Sequence, residues 1–345
     1  MEKLLQQQFP EAEAFIVSNP ADIFYLTGFF CNDSLLLYGA EPVLVTDSRY
    51  ALAAKSAKAE VSIVSGPYLS GLIDVARKKR YRTLGIQEEY LTAQQYLALR
   101  EEKFSLVPTH GIFCSLRAAK NEGEIKAIRA AQAVTDSAFE KLLPFIHEGV
   151  TEKQLRARLE FLLFACGADG LAFDTIVAGG PNGALPHAVP SDRPIQKGEF
   201  ITFDFGARVG GYCSDMTRTV ALGAIDARQK EIYEAVDKAH EAGAALLKPG
   251  ISACAADEAA RKVLAEAGFG KYFTHSLGHG VGIEIHEQPR LSPKSEDILV
   301  PGHVVTVEPG VYIEEFCGVR TENMYVISCS GHENLTGTDK KLIKL

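Results

Sequence analysis

From Phe203 to Val220 the chain reads FDFGARVGGYCSDMTRTV, which places Asp204 and Asp215 in a run of otherwise aromatic, β-branched and small residues. Carboxylates rarely keep such company unless something offsets their charge. Ile201, Phe203, Phe205 and Ala207 alternate with Phe200, Thr202, Asp204 and Gly206, the period of a strand. Tyr212–Val220 reads the same way, and Gly210-Gly211 between them signals a turn. With Val209 and Gly210 at the tip, the chain reverses so that Asp204 and Asp215 stand directly opposite each other. Their Cβ atoms would then be ~5 Å apart, where like charges repel. Two readings follow: a solvated edge hairpin carrying two surface acids, or a hairpin with a cation between them.

Further donors lie downstream. THSLGHGVGIEIHEQP carries His275, His279 and His286. Gly270, Gly278, Gly280 and Gly282 argue against a regular helix there, and the glutamate of an H-E-x-x-H zinc helix is absent. Glycines flanking His279 let backbone approach a buried centre closely. VVTVEPGVYI puts Glu308 at the end of an apolar strand, and GVRTENMYVI puts Glu322 at the start of another. Each histidine or acid alone reads as an ordinary core or surface residue; their conjunction is more specific. Two divalent ions would balance Asp204, Asp215, Glu308 and Glu322, with His279 neutral. Four hard oxygen donors and one imidazole suit Mn²⁺, Co²⁺ or Fe²⁺ better than a thiolate-type zinc site, and two such ions ~3.5–4 Å apart can share an activated water.

These residues need a scaffold, and the chain has room for one. Its 345 residues, 46% hydrophobic, fit one large domain or two ordinary ones. The net charge of −8, with no basic cluster beyond ARKKRYR at Ala76–Arg82, gives no nucleic-acid footprint. Seven cysteines without paired spacing favour free thiols in a reducing compartment. The opening MEKLLQQQFPEAEAF has no basic-then-apolar leader, and no apolar run approaches the ~20 residues of a membrane span; the expectation is a cytoplasmic protein with no membrane or nucleic-acid partner. In the first third, AFIVSN, SLLLYG, PVLVTD, VSIVS and RTLGI read as strands. SRYALAAKSA, Leu69–Lys79 and TAQQYLALREEK read as helices, the last with Thr92 as N-cap. The texture changes near residues 116–122. LRAAKNEGEIKAIRAAQAVTDSAFEKLL predicts one long helix ended by Pro144, and TEKQLRARLEFLLFAC a second capped by Thr151. Two more are expected around Arg228–Leu247 and Ala253–Ala267.

Asp204, Asp215, His279, Glu308 and Glu322, within FDFGARVGGYCSDMTRT, GHGVGIEIHEQP, VEPGVY and VRTEN, resemble in order and spacing the five ligands of the pita-bread metallopeptidases. That family includes prolidase, aminopeptidase P and methionine aminopeptidase. LTGF at Leu26–Phe29 and TDSRY at Thr46–Tyr50 resemble the N-terminal domain of prolidase and aminopeptidase P. Asn323 departs from the pattern, since many relatives carry an acid there. The resemblance implies an α/β N-terminal domain of creatinase/prolidase type over residues 1–120, followed by an α+β pita-bread catalytic domain over residues 121–345. It implies two divalent ions, Mn²⁺ first among the candidates. Asp204 would bind one ion, His279 and Glu308 the other, with Asp215 and Glu322 bridging both. Glu308 becomes the general base. His187, in GALPHAVP, would contact substrate and help proton transfer, while His275 and His286 would steady the tetrahedral intermediate. Arg290, in HEQPR, is either a grip on a substrate carboxylate or a surface charge. The implied activity is hydrolysis of the bond before proline in Xaa-Pro dipeptides or short peptides, by a homodimer. A non-catalytic binding protein and a metal-free creatinase are disfavoured by the full ligand set, and a methionine aminopeptidase by the N-terminal domain.

Overall fold

The apolar runs of the first third form a six-stranded sheet. Its strands are β1 (Ala14–Val17), β2 (Ser34–Tyr38), β3 (Val43–Asp47), β4 (Glu60–Val64), β5 (Thr83–Ile86) and β6 (Ser105–Pro108), in the order β4-β3-β2-β1-β5-β6. β1–β2 and β2–β3 pair antiparallel, and the remaining neighbours pair parallel. The helices are α1 (Glu2–Gln8), α2 (Pro20–Thr27), α3 (Tyr68–Lys78) and α4 (Ala93–Glu101). Thr92 caps α4, accepting from the Gln95 N–H while Gln95 returns the bond, a reciprocal arrangement that satisfies two orphan amides. Ile16, Leu37, Val45, Leu72, Leu84 and Leu99 close one face of the sheet. SRYALAAKSA does not form the expected helix; only a 3₁₀ turn at Ala53–Ser56 survives. The Asp47 side chain takes the Arg49 N–H, and the Tyr50 hydroxyl is drawn to Asp33, so side chains compete with the helical ladder. β6 was not anticipated.

The computed structural model describes residues 2–345. One unit ends at Leu116 and a second begins at Arg117. The long helix expected across 116–143 is two: α5 (Ile112–Ala118) and α6 (Glu122–Leu142). Asn121 caps α6 with Glu124 as its box partner. The Lys120 N–H leaves the helix for the Gly302 carbonyl, so the break falls where capping and pairing outcompete continuation. α7 (Glu152–Ala165) follows, capped by Thr151 as expected. The strands of this unit are β7 (Gly170–Leu171), β8 (Ile176–Gly179), β9 (Glu199–Phe205), β10 (Ala207–Val209), β11 (Tyr212–Cys213) and β12 (Met216–Leu222). After α8 (Ala227–Ala245) and α9 (Ala253–Glu266) come β13 (Gly278–Gly280), β14 (Glu287–Leu291), β15 (Val304–Val307), β16 (Gly310–Ile313), β17 (Cys317–Arg320), β18 (Asn323–Ile327) and β19 (His332–Asn334). The sheets run β12-β9-β8, β11-β10-β7, β14-β13-β15-β18-β19 and β16-β17.

Alternation along β9 divides the core. Ile201, Phe203 and Phe205 pack with Phe139 of α6 and Leu159 of α7. Phe200, on the other face, joins Ile232 of α8, Ala256 of α9 and Val305 of β15. Asp204 shares the parity of Phe200, so it points away from α6 and α7.

The hairpin register differs from expectation. Asp204 pairs with Thr217, not Asp215, and Val209 pairs with Tyr212. The tip is Gly210-Gly211, at φ 56° and 85°. A two-residue turn with both central residues at positive φ suits two glycines and penalises Val209 at the tip. The correction moves Asp215 two residues along the ladder. A shift of two preserves parity, so both aspartates keep the same inward face.

Candidate active site

Strand ends supply the polar groups. Asp204 is the penultimate residue of β9, Asp215 immediately precedes β12, Glu308 follows β15 and Glu322 precedes β18. His279 is the centre of β13, whose glycines have no spare room: a Cβ on Gly278 would lie 2.1 Å from the Thr306 carbonyl oxygen, and one on Gly280 2.2 Å from that of Gln288. Close backbone approach therefore requires glycine on either side of this histidine. His275 leads into β13, His286 and Arg290 belong to the approach and body of β14, and His187 sits on the segment following β8. All nine side chains line one cleft of about 600 Å³.

The centre is tight. His279 Nε2 lies 3.5 Å from Asp215 Oδ2 and 3.3 Å from Glu308 Oε1. Its Nδ1–H donates to the Gly280 carbonyl at 3.0 Å, so the neutral ring turns its Nε2 lone pair toward the carboxylates. Asp215, His279 and Glu322 each offer an atom within 4.8 Å of the others. Glu322 Oε2 accepts from Thr217 at 2.7 Å and Asp204 Oδ2 from Arg320 at 2.7 Å. The second oxygen of each, Glu322 Oε1 and Asp204 Oδ1, is buried without a hydrogen-bond partner among the described residues. Such orphaned oxygens beside an unprotonated imidazole nitrogen are a poor arrangement unless a cation or shared protons offset it. The donor set fits divalent metal ions.

Titration follows the same logic. Burial, then the negative charge of Glu322, raises the carboxyls of Asp215 and Glu308 well above their usual range. Burial and then Asp204 push Glu322 to about 8. Burial and then His286 lower His279 to about 3, and burial and then Arg320 lower His275 to about 4. His286 is also lowered, by burial and then Arg290. Burial disfavours the Arg320 cation, but Tyr312, Asp204 and Glu308 outweigh it.

Two residues of this centre escaped the sequence reading. Arg320 donates to Asp204, to the Tyr312 hydroxyl at 2.5 Å and to Thr217 at 3.1 Å. Tyr312 in turn lies 2.9 Å from His275 Nε2. Since His275 Nδ1 already bonds the Ser276 carbonyl, both its ring nitrogens are engaged. The sequence offered one signal: Arg320 stands two positions before Glu322 in GVRTENMYVI. The His286 ring stands edge-on to His279, centroids 4.4 Å apart. Arg290 is exposed, and among the described residues no carboxylate pairs with its guanidinium.

Four carboxylates and an imidazole converging in a cleft are the donor set of an enzyme that works with divalent metal. Residues 126–328 match metallopeptidase family M24, and residues 3–119 match the creatinase/prolidase N-terminal domain. The chain belongs to metallopeptidase family M24, with a creatinase-type N-terminal domain ahead of a pita-bread catalytic domain. It is 35% identical over 332 residues to the Xaa-Pro dipeptidase of Pyrococcus furiosus, covering 95% of this chain and 94% of that one. The solved Xaa-Pro dipeptidase from Bacillus anthracis superposes with a TM-score of 0.95 at 38% identity, covering 99% and 98% of the two chains. The X-Pro aminopeptidase from Thermotoga maritima superposes at 0.92 with 33% identity, covering 99% of each.

Proposed function

We propose that this metallopeptidase hydrolyses the peptide bond preceding proline in Xaa-Pro dipeptides or short peptides, with residues 1–120 as its N-terminal domain and 121–345 as its catalytic domain. The observation that carries the reading is the convergence of Asp204, Asp215, His279, Glu308 and Glu322 in one cleft, in a chain whose relatives include Xaa-Pro dipeptidases. These five residues hold two divalent ions, Mn²⁺ first among the candidates. When bound, the ions acidify water and polarise the scissile carbonyl. Glu308, poised by Thr306 at 3.2 Å, takes the proton of the attacking water. His187 and His286 reach substrate from the cleft wall. His275 acts beside them by holding Tyr312, and through it Arg320, whose positive charge favours the negative charge that develops on the carbonyl oxygen. Arg290, exposed beside His286 and without a carboxylate partner among the described residues, is suited to a substrate carboxylate; this favours dipeptides over longer peptides. The working unit is a cytoplasmic homodimer. Ala-Pro hydrolysis by purified protein, with metal measured by elemental analysis, tests the reading. Activity should vanish on chelation and return with Mn²⁺ or Co²⁺. Full activity with no residual metal would refute it.

A further inference from the structure

Glu152 opens α7, and its side chain is wholly buried. It does not line the cleft. Its carboxylate accepts four hydrogen bonds: Oε1 from the Gly179 N–H at 2.7 Å, and Oε2 from Asn182 Nδ2 at 2.8 Å, the Ser191 N–H at 2.8 Å and Ser191 Oγ at 2.7 Å. A carboxylate has about four acceptor sites, so this one is saturated by donors from a single segment. Gly179 ends β8, Asn182 lies in the 3₁₀ turn that follows, and Ser191 is where the chain returns. One buried group thus closes both feet of residues 179–191.

His187 stands between those feet. Among the described residues its ring makes no hydrogen bond, and its side chain is exposed. Leu185 and Val189 are 58% and 76% exposed, and Ala188 alone beside His187 is buried, at 3%, so the tip is held by one small apolar side chain. Among the described residues the tip makes one hydrogen bond to the far wall, from Arg320 to the Pro186 carbonyl at 3.3 Å, while the 3₁₀ turn before it packs on Gly318. The position of the imidazole is therefore set mainly by the backbone, and the backbone by its anchored base.

We infer that Glu152 is a positioning residue: a buried carboxylate clamp that closes residues 179–191 and sets where His187 stands in the cleft. Its catalytic consequence rests on the proposed role of His187; its effect on the segment does not. Glu152→Gln keeps one acceptor oxygen but turns an NH₂ toward the N–H and O–H donors, breaking part of the clamp. Hydrogen exchange should then rise roughly tenfold or more in residues 180–190, with β9 and α8 unchanged. On Ala-Pro, kcat/KM should fall about 10- to 100-fold, the cost of a displaced catalytic group. Introduced into His187→Ala, the same change should cost nothing more. Asn182→Ala and Ser191→Ala, each deleting one donor, carry the same measurements if Glu152→Gln does not fold. Unchanged exchange in the segment, an even rise across the whole unit, or an undiminished activity loss in the His187→Ala background would each overturn the clamp. If the wild-type protein leaves Ala-Pro intact, the proposed function fails, and the exchange measurement still decides the clamp.

Discussion

Replacing Glu287 by glutamine removes one negative charge from a site that water cannot fill. The Glu287 and Lys120 side chains are each 1% exposed and that of Arg117 2%. Glu287 receives Arg117 at 2.9 Å, Lys120 at 2.9 Å and the Glu284 N–H at 3.0 Å. A Cβ on Gly282 would lie 2.3 Å from its Oε2, so the carboxylate is packed as well as bonded. In Glu287→Gln, Arg117 still reaches Glu284, but Lys120 loses the charge that opposes the effect of its burial. Uncovering a buried charge in this way costs roughly 3–5 kcal/mol. For a unit of this size that lowers Tm by roughly 6–20 °C. Urea unfolding followed by circular dichroism measures it, with Lys120→Met as the second arm of a double-mutant cycle. Methionine matches the lysine stem without its charge, so the double variant should recover much of the loss. A Glu287→Gln protein within about 1 kcal/mol of wild type, or no recovery in the double variant, would refute the argument.

Two further outcomes are expected. Arg290→Ala should lower kcat/KM for Ala-Pro ~10- to 100-fold, as befits a charge-assisted bond of ~1.5–3 kcal/mol, and affect Ala-Pro-Ala less; equal losses on both substrates would exclude a carboxylate clamp. His240 is 1% exposed and burial, then Lys340, lowers it to about 3. Between that value and an unfolded value of ~6.5 the unfolded chain binds the extra proton, so stability falls as pH drops through this window, by ~2 kcal/mol at pH 5. His240→Leu should remove that increment from the difference between pH 7 and pH 5, as read by denaturant unfolding; an unaltered pH slope would show that the ring is not held neutral.

What was legible in the sequence divides along physical lines. Strand parity was legible: period two in the run around Phe203 placed Asp204 and Asp215 on one face, and they line one cleft. Register was legible too and was misplaced: Gly210-Gly211 is itself the signal of a two-residue turn, and the positive φ of both glycines puts them, not Val209 and Gly210, at the tip. Local capping was legible at Thr92 and Thr151. The break before α6 was overlooked although Asn121 and Glu124 form the same kind of box, because the helical period on either side hid it. The failure of a helix at SRYALAAKSA needed tertiary knowledge, namely the pull of Asp33 on Tyr50. The gathering of His187, His275 and Arg290 into the cleft is a product of topology that no local pattern contains; the family resemblance alone pointed to it.

Arg320 changes the charge argument that the sequence suggested. Four carboxylates alone would be matched by two divalent ions, leaving a neutral centre. Arg320, with its side chain 4% exposed and bound to Asp204, adds a permanent positive charge inside the same shell. In the proposed site the positive charge then exceeds the negative by one. Arg320 also bonds one oxygen of Asp204, and the other has no hydrogen-bond partner among the described residues. A centre with one surplus positive charge and low exposure favours a reacting group that becomes negative. Peptide hydrolysis develops such a charge on the carbonyl oxygen. Thr217 lies opposite Asp204 in the corrected register and bonds both Glu322 and Arg320, so it joins the carboxylates to the guanidinium.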